Sequence, residues 1–103
     1  MNDNQLLVFV APARRRDDIV DVLLGFEAIS GFSVTDAAGF SRAHSQFNLR
    51  ERVQGYGDYE RFEVLCDAPT RRALLTLLDA VAGRDHLRYW VLPVLEEGGV
   101  GTQ

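Results

Sequence analysis

Residues 59–66 read Tyr-Glu-Arg-Phe-Glu-Val-Leu-Cys, with Phe62, Val64 and Cys66 on one face and Arg61 and Glu63 on the other. A two-residue period of this length is the mark of a half-buried β-strand. The period changes in the chain that follows. Pro69 suits the first turn of a helix, Leu74, Leu77, Leu78 and Val81 recur at helical spacing, and Gly83 closes the run. Residues 87–95 then form a final apolar strand, which Pro93 confines to an edge or a strand end.

The other half of the chain follows the same pattern. Residues 5–11 are a short apolar run ended by Pro12. From Asp17 onward, Ile19, Val22, Leu23 and Phe26 follow the i, i+3, i+4, i+7 template, with Gly25 as the stop. Residues 32–38 alternate weakly, Phe32, Val34 and Asp36 against Ser33, Thr35 and Ala37. The order is β-α-β-β-α-β, the split βαβ pattern. The expected fold is therefore α+β and ferredoxin-like: a four-stranded antiparallel sheet in the order 4-1-3-2, with both helices on one face. A long loop joins the second and third strands.

Composition bounds the function. The 103 residues are 47% apolar and 25% charged, which fits one domain over residues 1–103 with a mobile tail at 97–103. A net charge of −4 argues against a protein built to grip nucleic acid. All eleven basic residues are arginine, so Schiff-base chemistry and lysine-dependent phosphate loops are excluded. No run reaches the ~20 apolar residues that span a bilayer, so direct membrane insertion is not expected. The N-terminus places its charges after its apolar run, the reverse of a secretion signal. The lone Cys66 has no internal partner, and a cytoplasmic location is the simplest expectation.

The sheet itself asks for a partner. Strand one carries Leu6, Val8 and Val10 on one face and Leu7 and Phe9 on the other. Strand four likewise shows two apolar faces, Leu87, Tyr89 and Val91 against Trp90 and Leu92. Neighbouring strands of this kind would expose a contiguous apolar patch, which monomers rarely do. A homo-oligomer follows, with Leu7, Phe9, Trp90 and Leu92 as the expected interface. The alternative is that the tail or the long loop folds over this face.

The nineteen residues from 39 to 57 are longer than the ~12–15 residues at which loops become functional or disordered. Their mixture of aromatic and charged side chains suggests docking onto a partner, with Arg42, His44, Arg50, Glu51, Arg52 and Tyr56 as candidate contacts; the alternative is that the loop wraps its own sheet. His44 is a candidate ligand for a transition metal if copies meet at a subunit boundary, alone or with Glu51. A second candidate metal pair is Cys66 and His86. Strands one and three are expected to run parallel, which brings both residues to one end of the sheet; Cys66 alone reads as a buried structural thiol. Arg14, Arg15 and Arg16 precede the first helix, and Arg71 and Arg72 occupy the first turn of the second. Positive charge is unfavourable there, which points to an anionic ligand at Arg71 and Arg72, or to neutralisation by Asp17, Asp18, Asp21 and Asp67.

The segments AISGF (28–32), GFSRAH (39–44), NLRERVQG (48–55) and RYWVLPVLE (88–96) resemble a small bacterial family of PII-like proteins of unknown function. Its members are often encoded beside heavy-metal efflux pumps, and the similarity covers the chain except for its tail. In the PII signalling superfamily the long loop is the T-loop, the protein is a trimer and the sheets face inward. The resemblance implies a non-enzymatic regulatory role, a homotrimer, an effector that is a metal ion or an anionic metabolite, and a partner protein such as a membrane transporter. Nucleotide binding does not carry over, because CDAPTRR (66–72) has neither the glycine nor the lysine of the PII loop after strand three. The competing class is a small dimeric ferredoxin-like oxygenase or dehydratase, which would need a polar pocket between sheet and helices. A third class, an RNA-binding sheet, would need exposed aromatics flanked by basic residues on strands one and three.

Overall fold

The computed structural model describes residues 3–39 and 57–102. Strand β1 (Gln5–Pro12) passes through a 3-10 turn (Ala13–Arg15) into helix α1 (Arg16–Gly25). Strands β2 (Ser33–Gly39) and β3 (Gly57–Cys66) follow, then helix α2 (Ala68–Ala82) and strand β4 (Arg88–Pro93). The sheet order is β2-β3-β1-β4, and every neighbouring pair is antiparallel. This is the ferredoxin-like α+β arrangement expected from the periodicities. β2 and β3 reach further than their side-chain alternation suggests, to a pairing of Gly39 with Gly57. A Cβ on Gly39 would lie 2.8 Å from the Tyr59 ring, so the ring occupies the space a side chain would need. The rest of the expected long loop lies outside the described residues.

Alternation decides what is buried. Leu7 and Phe9 pair with Val64 and Phe62, and these four side chains face Ile19 and Leu23 of α1 and Leu74 and Leu78 of α2. All eight are at most 3% exposed. The rings of Phe9 and Phe62 stack at 4.8 Å with 6° between their planes. Leu77 breaks the expected helical set and stays exposed. Asp67 starts α2 by accepting a hydrogen bond from the Thr70 amide at 2.9 Å, with Pro69 in the first turn. Gly83 ends it at φ +62°, a conformation other residues avoid.

Two expectations are corrected here. β1 and β3 run antiparallel: Gln5 pairs with Cys66, and Val10 pairs with Arg88 at the start of β4. Each helix carries the chain back to its starting end, so β1 runs in the direction of β2, and β3 between them runs the other way. Cys66 and His86 consequently sit at opposite ends of the sheet, since the stretch of β1 between the partners of Cys66 and Arg88 alone spans about 17 Å at ~3.4 Å per residue. They form no common site. The second correction concerns Leu7 and Phe9, which lie in the core under the helices and not at an open interface.

Candidate functional site

The face of the sheet without helices is graded along its strands. Leu6 lies between Leu65 and Leu92, Val8 between Glu63 and Trp90, and Val10 between Arg61 and Arg88. Leu65 and Leu92 are 40% and 42% exposed, so the leucine row opens to the surface. The middle row is closed. The Arg61 guanidinium packs over the Trp90 ring at 5.8 Å, spanning β1, and Val8 is fully buried. Arg61 also lies 3.7 Å from Glu63. Trp90 and Leu92 thus share an apolar face as expected, but their companions are Leu6 and Val8. A shift of one residue moves a side chain to the opposite face, which is why the expected interface includes Leu7 and Phe9 wrongly.

On the helix side, the arginines that precede α1 have a partner of their own. Asp85, just beyond α2, accepts from Arg14 Nη2 at 2.5 Å and from Arg15 Nε at 2.7 Å. The Arg15 hydrogen bond holds the Asp85 carboxyl below the usual range, with both guanidinium charges adding to the effect. Asp18 lies at 4.0 Å from Arg15, a looser contact. Arg71 donates to Gln5 Oε1, while Arg72 is exposed. The separation of about 70 positions between Arg15 and Asp85 hides the pairing from any reading of local charge.

The polar pair that sequence reasoning missed is Glu60 and Asp36. They stand directly across the β2–β3 ladder, and Glu60 is 6% exposed on the helix side, with Arg16 Nε at 3.7 Å. Burial pushes the Glu60 carboxyl above its ordinary range, and the hydrogen bond and negative charge of Asp36 push further. The alternation of residues 59–66 already places Glu60 on the face of Phe62; that was the available signal. At the other end of β3, burial raises the Cys66 thiol, with the Asp67 charge adding to it. Among the described residues no group of three histidine, cysteine or acidic side chains is arranged to hold a metal ion. Arg42, His44, Arg50, Glu51, Arg52 and Tyr56 lie outside the described residues. Among the described residues no helix is long and apolar enough to cross a membrane.

Residues 1–101 match the family described as "Protein of unknown function (DUF3240)". The chain belongs to the DUF3240 family. A DUF3240 family protein of known structure, from Shewanella baltica, is 37% identical, with a TM-score of 0.81, over 98% of this chain and 100% of that one. The fold is also that of a putative PII-like signaling protein from Thermus thermophilus, at 17% identity and a TM-score of 0.60, over 85% of this chain and 82% of that one. It is likewise shared with the periplasmic divalent cation tolerance protein CutA from Archaeoglobus fulgidus, at 9% identity and a TM-score of 0.71, over 91% of this chain and 86% of that one. Among curated proteins none matches. This DUF3240 chain thus has the architecture of the PII-like and CutA proteins.

Proposed function

We propose that this DUF3240 protein is a non-enzymatic, PII-like regulatory protein of the cytoplasm that acts as a homotrimer. In this reading the helix-free face is the assembly surface, and the loop containing Arg42, His44, Arg50, Glu51, Arg52 and Tyr56 reads an effector at a subunit boundary. The effector is a metal ion or an anionic metabolite, with His44 as the metal ligand, and the loop passes the signal to a partner such as a membrane transporter. The shared fold supports a regulatory role, and the name of the Archaeoglobus CutA protein favours a divalent cation as the first ligand to test. The observation that carries the reading is the open row of Leu65, Leu6 and Leu92 beside Trp90, an apolar surface that asks for cover.

Native mass spectrometry of the protein as purified tests it. A trimer supports the reading, and a co-purified mass would separate metal from metabolite. A dimer would bring the small-enzyme class forward, and a clean monomer would overturn the assembly surface.

A further inference from the structure

The helix-free face has a charge problem at its far end. Arg61 and Arg88 flank Val10 on the same face, and Arg61 leans across β1 to Trp90 on the strand that carries Arg88. Glu63 lies beside Arg61, whereas Arg88 has no ion-pair partner among the described residues. Covering this face in an assembly would bury a guanidinium charge, and a buried charge without a counterion is strongly destabilising. The covering surface must supply a carboxylate.

The end of the same chain has the complementary need. Leu95 and Val100 are 96% and 103% exposed, and Glu96 is exposed between them. Glu97 accepts a hydrogen bond from Asn4 Nδ2 at 2.9 Å, which ties the segment to the leucine end of its own sheet. Pro93 pairs with Gln5 and Arg88 with Val10, so Glu96 leaves from the end opposite its own arginine row. Its carboxylate is exposed and has no ion-pair partner among the described residues.

We infer that the C-terminal segment of one copy lies along the helix-free face of a second, with Glu96 on Arg88 and Val100 on the leucine row. The spacing fits. Arg88, Trp90 and Leu92 recur at every second position, and so do Glu96, Gly98 and Val100. Four extended residues cover about 13 Å in either segment. Gly98 falls level with Trp90 and brings no side chain against the indole. The assignment rests on the assembly surface proposed above and names the segment that completes it.

Sedimentation velocity on the full chain, on Glu96→Arg, on Arg88→Glu and on the doubly exchanged chain tests the inference. Each single reversal is expected to weaken assembly at least about tenfold, and the exchange to restore it. A second variant ending at Leu95 is expected to assemble as weakly as Glu96→Arg while keeping its circular dichroism spectrum. Assembly of Glu96→Arg and of the shortened chain at wild-type strength would overturn the tail assignment and leave the assembly surface standing. A monomeric wild-type chain would overturn both.

Discussion

Arg15 and Asp85 are 70 positions apart in the chain, yet Arg15 Nε donates to Asp85 Oδ2 at 2.7 Å. The contact joins the start of α1 to the end of α2. It also resolves the arginine cluster: these side chains sit badly at the positive end of their own helix but well at the negative end of its neighbour. The Arg15 guanidinium rests against Gly83, where a Cβ would be 3.0 Å from Nη2.

Removing the acid should therefore loosen the two helices from each other. Asp85→Asn is expected to cost about 1 kcal/mol, and Arg14→Ala less than about 0.5 kcal/mol, since Arg14 is largely in water. The Asp85 carboxyl titrates below its unfolded value, so its contribution is complete above the unfolded pKa and disappears as the pH falls through the folded one. Urea unfolding at neutral pH and in acid checks both points.

Glu60 has the opposite sign. Its carboxyl is raised in the fold, so the native state holds the proton more tightly, and stability falls as the pH rises from the unfolded to the folded pKa. Glu60→Gln removes that slope and is expected to be more stable than the parent at neutral pH and equal to it in acid. Thermal melts across the carboxylate range would show it; a variant less stable at neutral pH would mean that Arg16 outweighs burial and Asp36.

Gly83 is fixed by backbone and space together. At φ +62° and ψ −118° a side chain is strained, and it would meet Arg15. Gly83→Ala should cost about 1–3 kcal/mol in chemical denaturation.

Cys66 should behave as a core thiol. It is 5% exposed and its pKa is raised, so a thiol reagent should label the native protein far more slowly than the urea-unfolded chain at the same pH. Equal rates would place the thiol at the surface.

Leu65→Arg tests the open face without touching the core. It should leave the monomer folded and weaken assembly by about tenfold or more, read by sedimentation velocity. Phe62→Ala, on the same strand but under the helices, should instead cost about 3–5 kcal/mol of folding stability.

Much of this architecture is legible in the chain. The alternation of residues 59–66, the leucine spacing of α2 and the β-α-β-β-α-β order lead to the correct strand order. Boundaries miss by a residue or two, because strand pairing continues wherever backbone groups meet, as at Gly39 and Gly57, whatever the side-chain pattern. Leu7 and Phe9 fall on the wrong face in a sequence reading because strand one is apolar on both sides, so its alternation has no contrast. The direction of β3 against β1 follows from how each helix returns the chain, not from residue type.

Local periodicity is a property of neighbours along the chain, and it is enough for the elements, their order and the two helices on one face. Pairing partners are a property of space. That Asp85 holds Arg15, that Glu60 is buried against Asp36, and that Arg61 crosses β1 to Trp90 all required the packed sheet and helices. Each joins residues from different elements, and electrostatic and ring contacts fall off within a few ångströms, so sequence distance says nothing about which of them form.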